Sequence, residues 1–206
     1  MIMLRLMGLL VVSLLLVVQP ARAGDGPAAE ALVKQAVADA TAAFAGGPFS
    51  REVSRDKVSA LVSKYGDIAY ESELILGRYW RKATEPQKDS FVSLLIPFFV
   101  ATYAELIDNK SGSTQVLFLG SEEMADGVVV KARIMQPAEE GVDLSFVISR
   151  SPAGKLVISD AIAEGVGLVT TIRSDFTSVV RGAGGNLDVL LDAMRKKIAM
   201  VPAAGR

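Results

Sequence analysis

The sequence predicts an α+β fold in which helices cover one face of a four-stranded antiparallel sheet. Three observations carry this reading. Apolar residues recur at helical spacing from Ala28 to Ile107. The period then shortens to two over four consecutive segments between Thr114 and Ile162. Helical spacing returns after Glu164 and runs to Met200. Helices, then a meander, then helices again is the order of a two-layer α+β arrangement.

Residues 1–23 read as a leader. Arg5 is a short positive segment, Leu6 to Val18 is an apolar run of 13 residues, and Ala21-Arg22-Ala23 fits a small-x-small cleavage pattern. A bilayer span needs roughly 20 apolar residues, so a cleaved signal peptide and a periplasmic destination are expected. The chain has no Cys, which excludes an anchor through a lipidated cysteine and leaves stability to packing. No twin Arg is present, which favours the general secretory route. Removing 23 of 206 residues leaves 183, enough for one domain over 24–206 with its core at about 28–200.

Loss of Arg5 and Arg22 takes Lys and Arg from 22 to 20 against 23 acidic residues, a net charge of −3. That balance argues against nucleic acid as a partner, which calls for a strongly basic domain. The chain has no His and no Cys, which removes Ser-His-Asp and Cys-His catalysis and the usual zinc sites. Carboxylate pairs, Ser/Lys arrangements and oxygen-ligand metal sites are what remain. The expectation is a protein that is not an enzyme, with no cofactor and no metal.

The elements follow in order. Ala28 to Phe44 carries Ala31, Leu32, Ala36, Val37, Ala40 and Phe44 on one helical face, and Gly46-Gly47-Pro48 ends it. Ser54 or Asp56 is positioned to cap a short second helix ending near Gly66, and Asp67 to cap a third over Ile68–Gly77. Leu76 to Gln87 is a basic-aromatic elbow holding the only Trp of the chain, Trp80. Within it Thr84 and Gln87 have the spacing of a capping box, Glu85 suits the positive end of the next helix, and Pro86 is tolerated in a first turn. That helix, Glu85 to Ile107, has the broadest apolar surface in the chain, from Phe91 through Leu106, and Pro97 should bend it. Asn109 to Ser113 ends it.

Thr114–Leu119, Val128–Met135, Val142–Arg150 and Leu156–Ile162 read as strands, separated by turns at Glu122–Gly127, Gln136–Gly141 and Ser151–Gly154. In the second, Val128, Val130, Ala132 and Ile134 share a face opposite Lys131 and Arg133. In the third, Val142, Leu144, Phe146 and Ile148 oppose Asp143 and Ser145. One sheet face is therefore apolar and one wet. Glu164 to Val169 leads into a helix with Val169, Ile172, Phe176, Val179 and Val180 apolar. Gly182-Ala183-Gly184-Gly185 is a loop without the Lys-Ser/Thr of a phosphate-binding loop, and Leu187 to Met200 is a last amphipathic helix.

Two apolar faces either meet as a core or stand apart around a ligand. The breadth and the proline of the Glu85–Ile107 helix, and the mixture of small and large residues on the facing strands, suit a cavity; ordinary packing suits a core. Both readings remain open at this point.

The elbow Leu76–Gln87 with the following Phe91 and Phe99–Tyr103, and the later Asp160, Glu164-Gly165-Val166, Leu168, Arg173-Ser174 and Phe176, resemble the MlaC family of toluene-tolerance periplasmic proteins. The resemblance spans roughly Tyr65 to Leu191. Gly167 stands where a Ser is usual in that family, and Thr171-Ile172 where Asn-Tyr is usual. It implies helices on a curved antiparallel sheet with an apolar pocket between the layers. It also implies a phospholipid carrier serving an outer-membrane lipoprotein complex and an inner-membrane MCE-domain protein with its ABC permease and ATPase, and so outer-membrane lipid asymmetry. A monomer is expected.

On that reading the candidate acyl-chain contacts are Phe91, Leu95, Phe98 and Phe99 on the broad helix, Val130, Ala132, Ile134, Leu144, Phe146 and Ile148 on the strands, and Val166, Val169, Ile172 and Phe176 on the facing wall. Arg78, Arg81 and Lys82 are candidates for the pocket mouth. Each position has a plain alternative as core or as solvated helix surface. Arg173 with Asp160 or Glu164 reads as an internal ion pair. A hopanoid or other polycyclic lipid on the same fold, a hydrolase using Asp160 and Glu164, and an adaptor with a filled core are the competing readings.

Overall fold

The structure, a computed structural model, describes residues 24–47, 49–108, 115–135 and 141–200, with residues 104–108 described by their backbone alone. The expected leader, Pro48, the helix end at Asn109–Ser113, Thr114 and most of the Gln136–Gly141 turn lie outside the described residues, as do the side chains of Leu106 and Ile107. Helices α1 (Gly26–Phe44), α2 (Arg51–Tyr65) and α3 (Ile68–Leu76) lead through a 3-10 turn (Gly77–Lys82) into α4 (Glu85–Asp108). Strands β1 (Gln115–Met124), β2 (Gly127–Met135), β3 (Val142–Arg150), β4 (Leu156–Ala163) and β5 (Val166–Gly167) follow, then α5 (Leu168–Gly182) and α6 (Leu187–Met200).

The α+β class and the antiparallel meander are as the periodicity predicts, with strands in the order β1-β2-β3-β4-β5. The sheet has a fifth strand. Residues Val166 and Gly167, expected as a lead into the helix, pair back onto Ala163 and Ile162. Glu164 at φ 49° and Gly165 at φ 79° make the turn between them, and a two-residue strand is too short to show a period. Strand β1 also runs farther than expected, to Met124, and Met124 pairs with Gly127 across a tight turn. Gly127 closes this hairpin at φ 153°. A Cβ there would lie 2.1 Å from the Ile148 carbonyl oxygen, so no larger residue fits.

The predicted faces of β2 and β3 pair with one another: Val128 with Ile148, Val130 with Phe146, Ala132 with Leu144 and Ile134 with Val142. One apolar cluster joins this surface to α1 through Ala29, Val33, Val128, Val130 and Ile148. Helix α1 turns its expected face inward in the main: Leu32 and Val37 pack against this cluster and Ala36 is buried. Ala29 and Val33 extend the buried stripe toward the sheet, and Ala31 is the one residue of the expected face left exposed. A second cluster is purely helical and joins α3, the 3-10 turn, α4, α5 and α6 through Leu76, Tyr79, Phe91, Phe176, Leu190 and Met194.

Helix ends follow local chemistry, with two corrections. Asp67 caps α3 as expected, accepting from the Tyr70 N–H. Helix α2 is capped by Ser50, which accepts from the Val53 N–H, and not by Ser54 or Asp56. Ser54 is buried inside the helix, leaving Ser50 as the residue in extended backbone at the entry. At the elbow the Thr84 N–H donates to Gln87 Oε1 at 3.1 Å, the glutamine half of the capping box, and Gln87 Nε2 donates onward to Asp188 Oδ1 at 3.0 Å, which ties α4 to α6. Within α4 the backbone leaves helical dihedrals at Tyr103 (φ −113°, ψ 17°), beyond Pro97 where the bend was expected. Trp80 packs against the helical cluster and Lys88 Nζ stands 5.4 Å from its ring centre.

Candidate functional site

Two cores imply a seam between them. Along that seam lies a cavity of about 440 Å³, within the ~300–1,000 Å³ of small-molecule sites. Helix α1 contributes Ala36, Val37 and Ala40, and α2 contributes Val58, Leu61, Val62 and Tyr65. From α3 come Ile68, Glu71 and Ile75, and from α4 come Leu95, Ile96 and Phe99. The sheet supplies Val116, Ile134, Leu144, Phe146 and Ile158, and α5 supplies Leu168, Val169 and Ile172. Every layer of the fold reaches this volume, and most side chains that do so are apolar, with Thr41, Glu71, Ser159 and Asp160 as polar exceptions.

The structure gathers seven of the expected contact residues here: Leu95, Phe99, Ile134, Leu144, Phe146, Val169 and Ile172. The others lie elsewhere. Phe91 and Phe176 are buried in the helical cluster with ring centres 5.8 Å apart, and Phe98 packs on Phe176 at 5.2 Å. Val130 and Ile148 are fully buried under α1, and Ala132 is buried on the same face. Val166 is 63% exposed on the short fifth strand. Arg78, Arg81 and Lys82 are exposed on the 3-10 turn, and none of them lines the cavity. Arg78 donates to the Tyr79 hydroxyl.

Helix α2 is the wall that sequence reasoning missed. Val58, Leu61, Val62 and Tyr65 have the spacing of one helical face, and that spacing is the signal that could have found them. Their helix is otherwise rich in charge and reads as a solvated connector.

Glu71 is the second omission. It lines the apolar cavity, and its Oε1 accepts from the Asp67 N–H at 3.2 Å. Burial is the main influence on it and lifts its carboxyl from 4.5 to about 7; the Asp67 amide opposes the rise and the Asp67 charge adds to it. Near pH 7 this wall therefore carries an acid that is only partly ionised.

Asp160 and Glu164 do not form a pair. Asp160 Oδ1 accepts from the Ala161 N–H at 2.8 Å and from the Val169 N–H at 2.9 Å, satisfying an amide in the first turn of α5. Glu164 Oε1 accepts from the Asp143 N–H at 2.7 Å. The expected ion pair of Arg173 with either carboxylate is absent from the ion pairs among the described residues. Arg173 extends instead against the elbow, where a Cβ on Gly77 would stand 2.4 Å from its Nη2. Both carboxylates are used on backbone amides, and the guanidinium packs on a glycine.

The family model described as MlaC protein matches residues 30–196. Among solved structures, the phospholipid-binding protein from Ralstonia solanacearum in complex with a phospholipid has a similar fold. It has a TM-score of 0.70 and 27% sequence identity, covering 84% of this chain and 98% of that one.

Proposed function

Since this chain belongs to the MlaC family, we propose that it is a periplasmic phospholipid carrier whose cavity between helices and sheet holds acyl chains. The observation that carries this reading is the apolar cavity of about 440 Å³ at the seam of two cores, in a fold like that of a protein solved with a phospholipid bound. Leu95, Phe99, Ile134, Leu144, Phe146, Val169 and Ile172 are the proposed chain contacts, joined by the α2 wall.

The physics of transfer suits such a site. Each CH₂ removed from water is worth about 0.8 kcal/mol, so two long chains represent on the order of 20 kcal/mol. A lipid crosses water at a useful rate only while those chains stay covered. A carrier must match the membrane closely enough to exchange with it, which calls for many weak apolar contacts and few specific ones. Loading and release then need no covalent step and no cofactor. The proposed route runs between an outer-membrane lipoprotein complex and an inner-membrane MCE-domain protein with its ABC permease and ATPase. The carrier works as a monomer after removal of residues 1–23.

The test is organic extraction and mass spectrometry of the purified mature protein, followed by uptake from labelled vesicles. Stoichiometric diacyl phospholipid is expected. A polycyclic lipid in its place moves the assignment to another cargo on the same fold, and no bound lipid with no uptake overturns it.

A further inference from the structure

A groove of about 630 Å³, of mixed polar and apolar lining, adjoins the apolar cavity, and Val62, Gly66, Ile68 and Ile96 are wall residues of both. Its charged residues are Arg55, Asp56, Asp67 and Lys155, two cations and two carboxylates. The Arg55 guanidinium touches Asp56 Oδ1 at 3.2 Å and Glu52 Oε1 at 4.0 Å, all exposed on α2. Lys155 Nζ donates to the carbonyls of Ser63 and Gly66 at 3.4 and 3.3 Å, at the negative end of the same helix. An ammonium has three donors, so these two long bonds leave capacity for an anion. Ser151 is 4% exposed, lines the groove, and its hydroxyl makes no hydrogen bond among the described residues. Buried hydroxyls are normally satisfied, and a phosphate oxygen in the groove that Ser151 shares with Arg55 and Lys155 would satisfy this one.

Resting on the carrier reading above, we propose that this groove receives the head group of the bound lipid and that it selects a zwitterionic phosphate-ammonium head over an anionic one. Chains in the cavity bring the glycerol phosphate to the shared wall at Val62 and Ile96. The phosphate is met by Arg55 and Lys155, and the ammonium by Asp56. A head group of net negative charge meets the same carboxylates without a cation of its own to offer them. The mouth is thus the α2 side of the cavity, away from Arg78, Arg81 and Lys82.

The experiment is competitive uptake by the delipidated mature protein from vesicles of phosphatidylethanolamine, phosphatidylglycerol or diacylglycerol in a neutral carrier lipid. The wild type is compared with Arg55→Gln and Asp56→Asn. Both substitutions fall on exposed helix surface, and thermal melts check that each variant folds. Wild-type protein should take phosphatidylethanolamine about fivefold over phosphatidylglycerol, a difference of about 1 kcal/mol. Asp56→Asn should abolish that preference. Arg55→Gln should lower uptake of both phospholipids about fivefold or more and leave diacylglycerol unchanged. Equal uptake of both phospholipids by all three proteins overturns the groove and leaves the carrier standing. Absence of uptake of every lipid, diacylglycerol included, overturns the carrier reading itself. Inorganic phosphate alone should not compete at millimolar concentration; if it does, the groove is a free-anion site and the head-group assignment fails.

Discussion

The Tyr65 hydroxyl donates a hydrogen bond of 2.5 Å to Asp39 Oδ2, joining the end of α2 to α1 at the rim of the cavity that Tyr65 also lines. Lys64 Nζ meets the same oxygen at 2.5 Å, and Gln35 Nε2 donates to Oδ1 at 2.8 Å. One carboxylate thus gathers three donors from two helices, and the cavity keeps its α1–α2 wall closed through them.

These donors, Lys64 first, then Tyr65 and Gln35, hold the Asp39 carboxyl at about 2 against an ordinary 3.8. A depressed carboxyl contributes stability that is present above 3.8 and lost as pH falls through about 2. Asp39→Asn is expected to flatten the acid limb of the stability curve between those values, read from urea melts at stepped pH. Tyr65→Phe is expected to cost about 1 kcal/mol at neutral pH, with lipid uptake reduced because the freed wall lines the site.

Glu71 has the opposite sign. Its carboxyl lies at about 7 when folded and near 4.5 when exposed, so the folded state binds more protons between those values and stability declines as pH rises through them. Below 4.5 both states are protonated and the residue costs nothing by this route. Above 7 the cost reaches up to about 3 kcal/mol. Glu71→Gln keeps an acceptor for the Asp67 amide and is expected to be more stable than wild type at pH 8 and similar at pH 4. Denaturant melts at the two pH values check this, and a variant destabilised at pH 8 would count against it.

Phe91 and Leu144 separate core from cavity. Phe91 is fully buried in the helical cluster, and Phe91→Ala is expected to lose about 3–5 kcal/mol of stability. Leu144 lines the cavity, so Leu144→Ala should cost less and enlarge the site. Ala40→Phe projects a ring into the same volume from α1; it should fold with a melting temperature near wild type and recover several-fold less lipid. Mass spectrometry of extracted lipid, read beside the melts, distinguishes the three.

Gly77 adopts φ 52° where the elbow leaves α3, and the Arg173 guanidinium lies where a Cβ would go. Gly77→Ala is expected to lose about 1–2 kcal/mol through backbone strain and displacement of that arginine. Arg173→Ala in the Gly77→Ala background should recover part of the loss, while the strain remains. Thermal melts of the double-mutant cycle measure the coupling.

Much of the fold was legible because hydrophobic period is a property of one element at a time. Val128, Val130 and Ala132 form a buried sheet face as their alternation requires, and Asp67 caps the helix it precedes. The candidate site was legible only in part. Phe91 and Leu95 share a helical face, yet Leu95 reaches the cavity and Phe91 meets Phe176. Periodicity names the side of the helix and is silent on whether the surface opposite makes contact. Glu71 was missed for a related reason. A glutamate near a helix start reads as solvated, and its place on the cavity wall depends on elements distant in sequence that form the rest of that wall.

The sequence by itself determined the classes of element, their order, the apolar faces of β2 and β3, and the family resemblance carried by the Leu76–Gln87 elbow. Only the tertiary structure decided that the apolar surfaces divide into two cores with a cavity along their seam. It also decided that α2 is a cavity wall and that Arg55 and Lys155 border the adjoining groove while Arg78, Arg81 and Lys82 do not. The physical reason is that a cavity is the absence of contact between surfaces that chain order does not join. Its existence depends on how far apart α1, α4 and β3 are held, which the periodicity of none of them records.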